Sequence, residues 1–202
     1  MSLETRNEYF YYDHENEYAI DEFLEYVNDP ENQCARFELV DGYIVAMAGN
    51  ASLNHQRISG YLLRMIGNYL EGSVCEAVHD TNVYLYNESI GKCRNVFQPD
   101  IIICCDKDKM TNRGYEGTPE FIIEIVSQST ARNDYVTKLN RYMEFGVKEY
   151  WIADHESNKI LVCLNNGDKP PTINEYTFSD RVPVGVFKDL TINFNDISAI
   201  LR

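Results

Sequence analysis

Apolar residues recur along this chain with two different periods, and each change of period marks a new element. Residues 19–28 have the pattern of a short amphipathic helix that stops before Pro30. Arg36 to Met47 alternates like a hairpin, with Asp41-Gly42 supplying a tight turn. Ser52 to Leu70 is the longest helical stretch: Ser52 can cap it, and Ile58, Leu62, Met65, Ile66 and Tyr69 form one stripe. Strands are expected near 74–78, 81–86, 97–105 and 120–126. Helical spacing returns over 131–145, with Ala131, Tyr135, Leu139 and Tyr142 on the buried side, and ends at Gly146. Strands 150–154 and 159–164 follow, then short strands to about 194. The order strand, strand, helix, strand within 97–154 implies a mixed sheet with a helical crossover. The expected class is therefore α/β or α+β, not an all-β sandwich.

Two acids interrupt this pattern. Asp100 opens the run Ile101-Ile102-Ile103-Cys104-Cys105, and Glu124 lies inside Phe121-Ile122-Ile123-Glu124-Ile125-Val126. Both runs read as strands covered on two faces. An ionised carboxylate there must be paired, hydrogen-bonded or bound to a cation. Two such acids on neighbouring strands suggest a hairpin-like pair converging on one metal ion.

Composition adds constraints. The 202 residues can enclose one full core, so residues 18–202 read as one domain preceded by an acidic segment, 1–17. The net charge of −14 argues against broad affinity for nucleic acid. The charge is uneven, though. Lys92, Arg94, Lys107, Lys109, Arg113, Arg132, Lys138, Arg141 and Lys148 gather in the middle of the sequence, around the two acids. The six cysteines show no zinc-like spacing, and Cys104 and Cys105 read as small core residues. No signal peptide and no run of 18 apolar residues is present, so a cytoplasmic protein with reduced thiols is expected.

Taken singly, the other polar candidates have ordinary explanations. Lys138 borders the buried face of 131–145 and could be an exposed partner of Asp134 four residues earlier. Glu38 could lie on a solvated strand face, and His55 could be a satisfied, partly buried histidine.

The segments Phe37-Glu-Leu-Val-Asp-Gly, Asn54-His-Gln-Arg-Ile, Val96-Phe-Gln-Pro-Asp-Ile-Ile-Ile and Thr118-Pro-Glu-Phe-Ile-Ile-Glu-Ile-Val-Ser, with Asp134, Lys138, Tyr142 and Gly146-Val-Lys-Glu-Tyr-Trp-Ile-Ala-Asp, occur in order over residues 18–195. In this the chain resembles the Uma-type endonucleases of the PD-(D/E)XK nuclease superfamily. The resemblance implies a restriction-endonuclease-like mixed sheet flanked by helices, with extra strands at the C-terminal end. It also implies hydrolysis of nucleic-acid phosphodiester bonds, DNA being the expected substrate, with Mg²⁺ or Mn²⁺ held by Asp100, Glu124 and the main-chain carbonyl of Ile125. The superfamily lysine belongs two residues after the second acid, where this chain has Val126. The resemblance gives its role to Lys138, with Glu38 as an auxiliary acid and His55, Gln98, Ser127 and Tyr142 lining the site. On that reading, removing Lys138 abolishes cleavage and spares stability. A homodimer would supply the two cuts that a duplex requires. Two other readings fit the acidity: an inert family member that binds or assembles, and a metal-dependent hydrolase of a small phosphorylated substrate.

Overall fold

The computed structural model describes residues 16–33, 35–47, 51–87, 91–127 and 130–201. The expected acidic segment falls mostly outside these. Helix α1 (Ile20–Asn28) packs on the hairpin β1 (Arg36–Val40) and β2 (Tyr43–Met47). The hairpin turns through Asp41 at φ 55° and Gly42 at φ 92°, the left-handed pair that a two-residue connection demands. Helix α2 (Leu53–Tyr69) follows, capped by Ser52, whose hydroxyl accepts the His55 amide.

Strands β3 (Glu76–His79), β4 (Val83–Asn87), β5 (Lys92–Phe97), β6 (Ile101–Cys104), β7 (Met110–Thr111), β8 (Gly114–Tyr115) and β9 (Phe121–Ile125) come next. A helical segment then leads to β10 (Glu149–Asp154), β11 (Lys159–Asn166), β12 (Lys169–Tyr176), β13 (Arg181–Pro183), β14 (Thr191–Asn193) and a last short helix, α4 (Phe194–Ser198). One mixed sheet runs β2-β1-β5-β4-β8-β7 and a second runs β12-β11-β10-β9-β6-β3. In the second, β6 and β9 are antiparallel neighbours, while β9 and β10 are parallel and joined through the helical segment. This is the α+β, restriction-endonuclease-like arrangement, with the expected crossover.

The second sheet is covered on both faces, which explains its apolar runs. Ile101, Ile103, Phe121, Ile123, Ile125 and Trp151 pack under Ile58, Leu62 and Ile66 of α2. Ile102, Ile122, Val126, Tyr150 and Ile152 pack on the opposite side against Tyr142 and the first sheet's Val83, Leu85 and Phe97.

Two expectations need correction. The strand expected over 97–105 begins only at Ile101, as β6; Phe97 ends β5, a strand of the other sheet that was not expected, and Gln98-Pro99-Asp100 separates the two. Proline has no N–H to continue a ladder, so the chain leaves one sheet and joins the other there. The second concerns the thiols, because Cys75 and Cys105 form a disulfide. Pairing of Glu76 with Cys104 in the β3–β6 ladder sets Cys75 directly opposite Cys105. Side chains alternate along a strand, so Cys104 enters the core between the sheets as expected, whereas Cys105 takes the opposite face, where its partner Cys75 packs at the margin of the α2-side core, and is partly exposed.

The hairpin that carries Glu38 depends on its turn. Gly42→Ala forces a side chain into a left-handed residue and should lower the unfolding free energy by about 1 kcal/mol, read from the urea midpoint.

Candidate functional site

The β6–β9 ladder pairs Ile101 with Ile123 and Ile102 with Ile122, so the next pair outward is Asp100 and Glu124. Both acids therefore leave the same end of the two strands. The Ile125 amide donates to Asp100 Oδ2 at 2.7 Å, tying the two strand ends together. Asp100 Oδ1 lies 3.1 Å from His55 Nε2. His55 reaches it from the first turn of α2, where the Ser52 cap fixes its backbone. Burial opposes a charge on this imidazole, but the hydrogen bond and charge of Asp100 outweigh it and raise its pKa.

Lys138 approaches from the other side. Its ammonium is 2.8 Å from Glu124 Oε1, 3.0 Å from Glu38 Oε1 and 3.6 Å from Asp134 Oδ1. All four side chains are buried, and Lys138 is only 1% exposed. The surface reading of Lys138 and the solvated reading of Glu38 are thus both overturned. Burial opposes the lysine's charge, but the three carboxylates outweigh it and hold its pKa well above the ordinary value. Burial likewise raises Glu124, with Lys138 working against that shift, and pushes Asp134 up to about 6.

The local helix geometry explains how two adjacent residues and a third four positions on can all point inward. Residues Asn133–Lys138 form a π-helical turn, continued as α3 (Leu139–Glu144). In an α-helix, residues five apart lie about 140° around the axis. In a π turn, with about 4.4 residues per turn, they lie only about 50° apart. The wider turn brings Asn133 beside Lys138, and its side-chain amide donates to Glu38 Oε2 at 3.1 Å. Glu38 Oε1 also accepts the Gln98 amide at 3.2 Å.

A cavity opens over this cluster. It is lined by Glu38, His55, Gln98, Asp100, Glu124, Ile125, Ser127 and Lys138, all anticipated from sequence, together with Arg36, Asp80, Gln56 and Thr130, which were not. Tyr142, also anticipated, lies beneath the lining and donates its hydroxyl to Glu124 Oε1 at 3.2 Å. Arg36 and Lys138 are the cavity's lysine and arginine complement among the described residues. Of the basic residues expected around the site, Lys138 is the one that lines the cavity among the described residues. Arg94 pairs with Glu17, Arg113 with Glu116, and Arg141 with Asp41 and Glu144.

The donor set suits a small hard cation. Among the described residues, no three of His, Cys, Asp and Glu gather into a metal cage. Two carboxylates with water and carbonyl oxygens, however, are what Mg²⁺ ordinarily takes from a protein. Lys138 and Tyr142 both engage Glu124 through Oε1, which leaves Oε2 as the oxygen to offer. An extended residue turns its N–H and C=O to the same side. The Ile125 carbonyl therefore faces the Asp100 side that its amide already occupies.

Residues 20–195 match the family described as "Putative restriction endonuclease", Uma2. The chain belongs to the Uma2 family. It is 29% identical over 160 residues to a Synechocystis sp. protein described as uncharacterized, covering 78% of this chain and 81% of that one. It superposes with TM-score 0.70 on the crystal structure of "a putative nuclease belonging to DUF820" from Anabaena variabilis. That match covers 90% of this chain and 97% of the other at 16% identity, so it speaks to the fold. In this Uma2 chain Val126 is buried in the core beside Tyr142 and Tyr150, and the ammonium beside the acids comes from the helix.

The expectation that Lys138 can be lost without harm to the fold does not survive its burial. Lys138→Met leaves three buried carboxylates without their cation and should cost about 3–5 kcal/mol near neutral pH. Burial already raises Glu124 and Asp134 while Lys138 opposes it, so without the ammonium both stand further above their unfolded values and the folded form binds more protons. The deficit should shrink as pH falls from about 8 to about 5, measured by denaturant titration at each pH.

Proposed function

We propose that this chain is a metal-dependent endonuclease that hydrolyses nucleic-acid phosphodiester bonds. The observation that carries this reading is the pairing of Asp100 and Glu124 across adjacent strands, with the Lys138 ammonium 2.8 Å from Glu124. Membership of the family described as "Putative restriction endonuclease" supports the substrate class.

Asp100, Glu124 and the Ile125 carbonyl would hold Mg²⁺ or Mn²⁺. When bound, such an ion supplies acidification of a coordinated water and neutralisation of phosphate charge. The chain's own groups do the rest. The Ile125 amide and His55 fix the Asp100 carboxylate in one orientation. Lys138 and Tyr142 fix Glu124 in the same way. Lys138 also places a permanent positive charge at the cavity wall, where negative charge grows on a phosphate under attack. Glu38 holds that ammonium in place and is itself held by Gln98 and Asn133. Arg36, exposed at the cavity, offers the guanidinium fork that matches phosphate oxygens.

Glu38, Asp80, Asp100 and Glu124 outnumber Arg36 and Lys138 in the lining. A phosphate therefore meets repulsion until cations enter, and few lysines or arginines are available to neutralise a polymer. This acidic lining favours a second reading, hydrolysis of a small phosphorylated compound by the same groups.

Supercoiled plasmid, single-stranded DNA and RNA should each be offered with Mg²⁺ or Mn²⁺, beside Asp100→Ala and Glu124→Gln. Cleavage that needs the ion and falls at least about 100-fold in both variants is the expected result. Turnover of a chromogenic phosphodiester with every polymer left intact would move the assignment to the second reading. Loss of both activities, with a melt unmoved by millimolar ions, would leave a non-catalytic binding protein.

A further inference from the structure

We propose that Cys75 and Cys105 form a site of reversible thiol–disulfide exchange with small thiols, which clasps the edge strand β3 and through it the mouth of the cavity. Among the described residues, strand β3 ends its sheet and pairs there with β6. Its ladder runs Glu76 with Cys104, Ala77 with Ile103, Val78 with Ile102 and His79 with Ile101. One step beyond the first pair is the disulfide, separated by 30 residues in sequence. One step beyond the last, the Asp80 amide donates to the Asp100 carbonyl at 3.2 Å. A single two-strand ladder thus joins the disulfide at one end to Asp80 and Asp100 at the other. Both of those acids line the cavity, and Asp80 lies 3.5 Å from the Arg36 guanidinium.

Among the described cysteines, accessibility selects this pair for exchange. Cys75 and Cys105 are both partly exposed, whereas Cys93, Cys104 and Cys163 are buried free thiols. Burial pushes the Cys93 and Cys163 thiols up to about 11, so little of the reactive thiolate forms on either. A partly exposed disulfide is the type that small thiols can reach and reduce.

The exchange balances in two steps. A thiolate of a tripeptide-type thiol attacks one sulfur of the Cys75–Cys105 bond, giving a mixed disulfide and one protein thiolate. A second small thiolate attacks the small-molecule sulfur of that mixed disulfide, releasing the other cysteine as thiolate. The small molecule leaves as its own disulfide. Two electrons have passed to the protein, whose two thiolates take up the two protons given up by the attacking thiols. With the bond open, β3 is left with its hydrogen bonds to β6, its packing on α2 and the contact of Val78 with the core on the other face, while the Cys75 end has lost its covalent tie. Fraying starts at Cys75 and runs toward Asp80.

The test uses the full chain equilibrated in glutathione buffers from fully oxidised to fully reduced. Alkylated cysteines are counted by mass spectrometry, and amide hydrogen exchange is followed in each state. The bond should open within the range of ratios, and amides 76–80 should then exchange roughly tenfold faster or more, with β9 and β10 unchanged. Cys75→Ser should show the same exchange pattern with no thiol added, and Cys105→Ser serves if that variant folds poorly. A bond closed at every ratio, cysteines that never join, or equal exchange of 76–80 in both states would each overturn the proposal. None of these readouts depends on cleavage, so the outcome stands apart from the endonuclease reading.

Discussion

One buried ammonium holds the centre of this protein together. Lys138 sits among Glu38, Glu124 and Asp134, from a strand of the first sheet, a strand of the second and its own helix. Removing a charge from water costs several kcal/mol, and only close opposite charges with good hydrogen bonds offset that. The four groups therefore fix one another: each carboxylate is tolerable because the lysine is there, and the lysine because they are. The two sheets and the crossover helix can meet in only one way if this cluster is to be satisfied. Arg141 adds a second tie from the same helix to Asp41 at the hairpin tip, nearer the surface.

The same cluster makes the cavity asymmetric. Its lining includes Glu38, Glu124 and Lys138, already committed to one another, beside Asp100, which is held by Ile125 and His55. Preorganisation of this kind is what a site needs if its charges are to act without rearranging first. It also accounts for the cavity's acid excess, since the one lysine is spent on carboxylates beneath the surface.

Much of this could be read from the chain. Asp100 and Glu124 stood out because a doubly covered strand has no ordinary place for an acid, and the β6–β9 ladder sets them side by side. The capped helix α2 and the Asp41-Gly42 hairpin follow from short-range chemistry. Asn133 and Asp80 were not legible. Asn133 points inward only because of the π turn, and an α-helical reading places it well away from Lys138. Asp80 depends on the register of β3 against β6, a tertiary pairing with no local signal. The disulfide was hidden for the same reason: Cys75 and Cys105 belong to segments that meet only in the folded sheet. The break at Pro99 was visible but misread, because a long apolar run masked the move between sheets.

The placing of the buried ammonium on a helix, away from the strand of Glu124, has a consequence for how such chains can be recombined. Where acid and lysine share one strand, a short peptide carries the whole motif and can be transplanted as a unit. Here Glu124 and the lysine that meets it are split between a strand and a helix, with Val126 packed into the core between them. The minimal transferable block is the full strand–crossover–strand unit from Asp100 to Asp154, together with a donor hairpin supplying the acid at Glu38. Chimeras cut inside that block would separate the ammonium from its carboxylates and strand unpaired charge in the interior. Working junctions should fall in the segments that lie outside it.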